Sequence, residues 1–213
     1  MVGAESILDP IPSKQKHWIP RLGDTKMGQT GSIPVLTTKI KTMKKIIFLD
    51  IDGVLATQES IVDGEWGLVD SKQELLKKLI EATDAEIVLS SSWRLHTLED
   101  TKDYMKEKGF LFCDKLIGVT IRAYHYIDRA SKIHLSIPRG VEINQWIDTN
   151  IHSDNGKNFT RKKIGKDFTY VILDDDTDML YEQRHYFINT DSVTGLTQPD
   201  IDMAIKILNG PII

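Results

Sequence analysis

Asp50 and Asp52 flank one apolar residue and are followed at once by Gly53, at the end of the apolar run Ile46-Ile47-Phe48-Leu49. Side chains of an extended strand alternate, so carboxylates two residues apart point to the same side. Burying unpaired like charges is costly, and few structural needs call for them at a strand end. A divalent cation and a phosphoryl group would supply the missing positive charge and the reacting partner. Two other apolar runs end in polar clusters. Glu86-Ile87-Val88-Leu89 leads into Ser90-Ser91-Ser92, and Tyr170-Val171-Ile172-Leu173 leads into Asp174-Asp175-Asp176, with Asp178 close behind. Open parallel sheets bind ligands beyond the carboxyl ends of their strands. Adjacent strands would therefore gather carboxylates, hydroxyls and backbone amides at one edge, as metal-assisted phosphoryl transfer requires.

The elements that must position these residues alternate strand and helix from Met43 onward. The apolar runs do not alternate with polar residues, which marks strands covered on both faces. A helix is predicted over 72–83, capped by Ser71, with Leu75, Leu76, Leu79 and Ile80 on one face. Thr97 or Asp100 starts a second helix that Gly109 ends. Residues 110–112 and 116–119 read as one or two short strands. A third helix over 140–151 places Val141, Ile143, Trp146 and Ile147 inside, and the polar, basic stretch 152–168 reads as a loop. Phe187-Ile188 is a candidate last strand and 198–209 a last helix. The expected fold class is α/β, a Rossmann-like three-layer sandwich with a mainly parallel sheet.

A chain of 213 residues fits one domain, or one domain with an arm. Its 40% hydrophobic and 27% charged residues are ordinary for a globular protein, and a net charge of -4 neither announces nor excludes nucleic-acid binding. The lone Cys113 rules out an intrachain disulfide and reads as a small buried hydrophobe, which suits a reducing cytoplasm. No apolar run approaches the ~20 residues of a membrane span, and no signal-peptide core is present. A cytoplasmic protein without membrane contact is the expectation. Residues 1–42 stand apart, with Pro10, Pro12, Pro20 and Pro34 and no periodic pattern. Six Lys and Arg against three Asp and Glu make this segment +3 and leave the remainder at -7. It reads either as a leader or as an arm docking on a protein partner through Trp18 and Ile19, ahead of a catalytic domain over 43–213.

The pieces Phe48-Leu49-Asp50-Ile51-Asp52-Gly53-Val54-Leu55, Ile87-Val88-Leu89-Ser90-Ser91-Ser92-Trp93 and Tyr170-Val171-Ile172-Leu173-Asp174-Asp175-Asp176 resemble motifs I, II and IV of the haloacid dehalogenase-like (HAD) phosphatases. The resemblance runs from residue 43 to about 210. Ser91-Ser92-Trp93-Arg94, the later Arg139-Gly140-Val141-Glu142-Ile143 with Trp146, and Gly195-Leu196-Thr197 are similar to HAD domains associated with nucleic-acid repair. The phosphatase half of polynucleotide kinase–phosphatases is a related comparison. The resemblance implies that Asp50 is the nucleophile, forming an aspartyl-phosphate, and that Asp52 is the general acid and base. It implies Mg²⁺ held by Asp50, the Asp52 carbonyl and Asp175, with Asp174 or Asp178 orienting water around the ion from further out. Ser90 is the implied phosphate-binding hydroxyl, with amides of Ser91, Ile51 and Asp52 as a cradle. A basic residue should neutralise the phosphate: Arg139, ahead of Lys132, is the candidate.

Arg94 reads as a substrate contact or as a surface salt bridge, and Trp93 and Trp146 as core rather than stacking platforms. The intervals after Gly53 and after Trp93 leave no room for a folded cap, so an open site is expected. Openness admits a small phosphorylated molecule, a nucleic-acid end or a phosphoprotein. Two stretches could contact a polyanion: residues 122–132, where Arg122, Arg129 and Lys132 interleave with Tyr124 and Tyr126, and the loop with Arg161, Lys162 and Lys163. The functional expectation is a Mg²⁺-dependent phosphomonoester hydrolase. The alternatives are a polynucleotide 3′-phosphatase of end repair and a non-catalytic HAD-like domain serving as a binding module.

Overall fold

The computed structural model describes residues 43–62, 65–128, 133–154, 159–160 and 167–210. In chain order the elements are β1 (Lys44–Leu49), the short pair β2 (Ile61–Val62) and β3 (Glu65–Trp66), α1 (Asp70–Thr83), β4 (Glu86–Leu89), α2 (Leu98–Glu107) and β5 (Leu116–Val119). An antiparallel pair β6 (Tyr124–Asp128) and β7 (Ile133–Ser136) precedes α3 (Arg139–Asn150) and a second short pair, β8 (Ser153–Asp154) and β9 (Phe159–Thr160). The last elements are β10 (Phe168–Asp174), β11 (Phe187–Asn189) and α4 (Gln198–Asn209).

Five strands form one sheet in the order β11-β10-β1-β4-β5, and every pairing in it is parallel. The chain winds outward from β1 through β4 to β5, then returns to the other side of β1 for β10 and β11. The winding direction thus reverses at β1, where a doubly wound sheet opens a crevice at its carboxyl edge. The fold is the expected α/β Rossmann-like sandwich.

Period-two alternation divides the core. Ile47 and Leu49 of β1, Ile87 and Leu89 of β4, and Val171 and Leu173 of β10 face one way. They pack with Leu76, Leu79 and Ile80 of α1, Met105 of α2, and Ile201, Ala204 and Leu208 of α4. Ile46, Phe48, Val88, Tyr170 and Ile172 face the other way, against Ile143, Trp146 and Ile147 of α3. Trp146 meets Phe48 edge-on at 5.5 Å, so it is core, as expected. Each fully buried large side chain contributes about 1.5–3 kcal/mol, which fixes the strands whose ends carry the polar clusters.

Local chemistry explains where the elements start and where the sequence reading misses. Thr97 caps α2 by accepting from the Asp100 amide, and Gly109 follows the helix with φ +85. Helix α1 begins earlier than predicted. Ser71 lies inside it, Val69 precedes it without a side-chain cap, and Asp70 places a carboxylate in the first turn, where the helix dipole favours it. Residues 110–112 are not a strand: residues 111–115 form a turn, whose Phe112 packs edge-on with Phe110. In α3, Val141 is exposed and Glu142 is buried, the reverse of the apolar reading. Within 152–168 the described residues form the β8–β9 pair rather than only loop.

The interval after Gly53 holds β2, β3 and α1, and the interval after Trp93 holds α2, β5, β6 and β7. No separate cap stands in either among the described residues. Among those residues, too, no helix is long and apolar enough to cross a membrane. Residues 1–42 and the basic cluster Arg161, Lys162 and Lys163 lie outside the described residues.

Candidate active site

Parallel register sets four residues in a row across the carboxyl edge. Asp50 N–H donates to Leu173 O at 2.9 Å, Ser90 N–H to Leu49 O at 2.9 Å, and Thr120 N–H to Leu89 O at 3.0 Å. Asp174, Asp50, Ser90 and Thr120 therefore follow one another on neighbouring strands, about 4.8 Å apart at each step. Each is the polar residue at the carboxyl end of an apolar strand, and each is at least 95% buried.

Carboxylate oxygens of Asp50, Asp174 and Asp175 lie within 4.8 Å of one another. Burial, then Asp50, pushes the Asp174 carboxyl up to about 8, and burial and Asp50 raise Asp175 as well. Asp174 accepts the Asp176 amide on Oδ1 at 3.0 Å, while its Oδ2 is buried without a hydrogen bond. An all-oxygen donor set with a buried carboxylate oxygen that lacks a hydrogen bond fits a hard divalent cation such as Mg²⁺. Gly53 makes room for it. At φ +69, a Cβ here would stand 2.3 Å from Asp175 Cγ, so only glycine allows Asp175 to lie against this turn.

Asp52 is held apart from that cluster. Its Oδ1 accepts Trp93 Nε1–H at 2.8 Å and its Oδ2 accepts the Ser92 hydroxyl at 3.0 Å. Trp93 also packs against the core, but its polar atom positions Asp52, a role the core reading missed. The signal was an indole three residues beyond Ser90, because a partly buried indole N–H needs an acceptor.

The backbone around Ser90 is arranged by a buried ion pair. Arg94 Nη1 donates to Ser90 O at 2.7 Å and Ser91 O at 2.6 Å, and its Nη2 to Ile121 O at 3.0 Å and Glu142 Oε2 at 2.5 Å. Glu142 Oε1 accepts the Ala123 amide at 2.8 Å. Arg94, expected as a substrate contact or a surface salt bridge, is instead 7% exposed. Its carbonyl partners explain why: only a guanidinium offers enough donors in one plane to bind them all. A trans peptide turns each carbonyl opposite the following amide. Capture of Ser90 O and Ser91 O thus turns the Ser91 and Ser92 amides the other way. Both amides lack a protein acceptor among the described residues, as does the Asp52 amide, and Ser90 Oγ is buried without a partner. Ile51, the other expected cradle amide, is not free: it donates to Asp50 Oδ1 at 2.7 Å.

Arg139, at the start of α3, reaches into the same cluster. Its Nη1 lies 3.4 Å from Asp50 Oδ2 and its Nε 3.5 Å from Asp174 Oδ2, and Nη1 also donates to Ser90 O. Burial works against this guanidinium, but Asp50, Asp174 and Asp178 hold its pKa above the usual value. Lys132, the competing candidate, lies outside the described residues. Asp178 Oδ2 accepts the Arg139 amide at 2.8 Å, satisfying a free donor at the start of α3.

The family of HAD domains in Swiss Army Knife RNA repair proteins matches residues 46–201. The chain belongs to this family. No curated protein matches it. The matched span of this HAD domain contains every site residue described above. It also includes Gly195-Leu196-Thr197, which closes the turn after Asp52. Leu196 N–H donates to Val54 O at 2.9 Å, Thr190 Oγ1–H to Gly53 O at 2.8 Å, and Thr197 forms a capping box with Asp200 at the start of α4. The turn that carries the two aspartates is therefore anchored from β11 and α4 as well as from β1.

Proposed function

We propose that this HAD domain is a Mg²⁺-dependent phosphomonoester hydrolase that works through an aspartyl-phosphate on Asp50. The observation that carries the reading is the division of labour among carboxylates. Asp50 lies with Asp174 and Asp175, whereas Asp52 is hydrogen-bonded away from them by Ser92 and Trp93. On this reading one carboxylate attacks and the other handles protons.

An Asp50 carboxylate oxygen forms a bond to phosphorus as the ester P–O bond breaks, and Asp52 gives a proton to the departing oxygen. Water then attacks the phosphoryl group, Asp52 takes its proton, and phosphate leaves with Asp50 restored. Ser90 Oγ and the amides of Ser91, Ser92 and Asp52 bind phosphate oxygens, and Arg139 offsets their charge. Asp50, Asp175, Asp174 and the Asp52 carbonyl would hold the cation, which when bound neutralises charge on the carboxylates and the phosphate.

Two observations favour a nucleic-acid end as the substrate. The family is described by RNA repair proteins, and no cap is found after Gly53 or Trp93 among the described residues. A 3′-phosphorylated oligoribonucleotide and p-nitrophenyl phosphate, assayed with Mg²⁺ and with EDTA, test both levels. Loss of turnover with EDTA and in Asp50→Asn is expected. Turnover that survives either change defeats the mechanism, and equal use of both esters defeats the nucleic-acid reading.

A further inference from the structure

Beside the carboxylate cluster, on the far side of the Ser90 loop, a pocket of about 540 Å³ opens between residues 94–96 and residues 119–122. This is within the range of small-ligand sites, about 300–1,000 Å³. Leu95, Val119 and Ile121 give it apolar walls, and Leu95 and Ile121 are exposed to 43% and 45%. Thr120 and Arg94 also line the pocket, and Thr120 Oγ1 and Arg94 Nε are buried without hydrogen-bond partners. Arg122 stands at the rim. Its Nη2 donates to Ser92 O at 2.5 Å, and its Nε and Nη1 have no partner among the described residues.

We propose that this pocket receives the nucleobase of the terminal nucleotide whose phosphate lies over Asp50. The proposal rests on the nucleic-acid reading above and names the subsite that would enforce it. Thr120 is two strand spacings from Asp50 along the row of strand ends, about 10 Å, which leaves the sugar to bridge from phosphate to base. A base has apolar faces and a hydrogen-bonding edge. The faces match Leu95 and Ile121, and a rotamer change of Thr120 delivers its hydroxyl to the edge. The free nitrogens of Arg122 suit the next phosphodiester of the strand.

The test uses the full chain and two oligoribonucleotides with a 3′-phosphate, one with a normal terminal nucleotide and one abasic at that position. p-Nitrophenyl phosphate reports the Asp50 centre alone. Wild type should prefer the base-bearing end in kcat/KM by about tenfold or more, the scale of one stacked base. Ile121→Trp fills the pocket from an exposed position and should erase that preference, and Thr120→Val should reduce it. Equal use of the two ends by wild type, or a preference that persists in Ile121→Trp, overturns the subsite while leaving hydrolysis of p-nitrophenyl phosphate intact. Faster hydrolysis of a phosphoserine peptide than of either oligonucleotide also overturns it. If no ester is hydrolysed, the phosphatase reading fails by itself. Fluorescence anisotropy of the two oligonucleotides on Asp50→Asn, with and without Ile121→Trp, then decides the subsite: the same preference and its loss support it, and equal binding overturns it.

Discussion

The two ends of the central sheet handle charge in opposite ways. At the amino end, Lys44 pairs with Glu86 at 3.1 Å, Lys115 with Asp84 at 2.9 Å, and Lys45 donates to Asn209 at 2.6 Å, all at the surface. At the carboxyl end, Asp50, Asp174 and Asp175 converge, and beside them Arg139 is the one guanidinium in ion-pair reach of Asp50 and Asp174 among the described residues. The amino end is self-satisfied in water. The carboxyl end gathers buried carboxylates around a single guanidinium and leaves the Ser90 hydroxyl buried without a partner, which lowers stability and leaves bonding capacity for a ligand. The molecule concentrates its electrostatic cost where the proposed chemistry occurs.

The largest effect should come from Asp50→Asn. Phosphatase turnover falls by about 10⁴-fold or more, while the metal-free protein melts at a higher temperature, because a like charge has left the cluster. Calorimetry and a steady-state assay on the same preparation check both signs. A variant that loses activity and stability together breaks the contrast between the two ends. Gly53→Ala should come next. Its methyl meets Asp175 at a positive φ, so Mg²⁺, which should raise the melting temperature of wild type, should not raise that of the variant.

Glu142→Ala leaves a buried guanidinium unpaired and should cost about 3–5 kcal/mol of unfolding free energy, measured by urea denaturation. Arg94→Met with Glu142→Leu should recover most of that stability. It should not recover kcat, because nothing then holds the Ser90 and Ser91 carbonyls. Recovery of both would show that the pair serves packing alone.

A smaller effect concerns pH. Asp174 holds its proton more tightly folded, up to about 8, than the ordinary carboxylate value of 3.8. Between those values the native state binds more protons than the unfolded chain, so stability falls as pH rises. The metal-free protein should lose melting temperature from pH 5 to pH 8.5, and Asp174→Asn should flatten that slope. Smallest of all is Lys44→Met at the amino end, which should change stability by at most about 1 kcal/mol, as for other exposed pairs.

The strands were legible because an unalternating apolar run of four to seven residues has few other uses, and their polar ends marked the edge where the site forms. Helix α4 matches its expected range of 198–209 to the residue. Glu142 was not legible. A glutamate on an apolar face breaks the pattern, and nothing local announces that an arginine 48 positions earlier will neutralise it. The same holds for Arg94, whose partners come from three separate segments, and for Trp93, whose indole N–H finds Asp52 only after β1 and β4 pair.

The sequence alone determined the residue types at the strand ends, the α/β class and the spacing of Asp50 and Asp52, because period-two burial and motif order are local properties. Tertiary structure decided which carboxylates meet. Parallel register set Asp174 beside Asp50, the Gly53 turn admitted Asp175, and two indole and hydroxyl donors drew Asp52 aside. Those outcomes depend on distances between segments 40 or more residues apart, which no local pattern encodes.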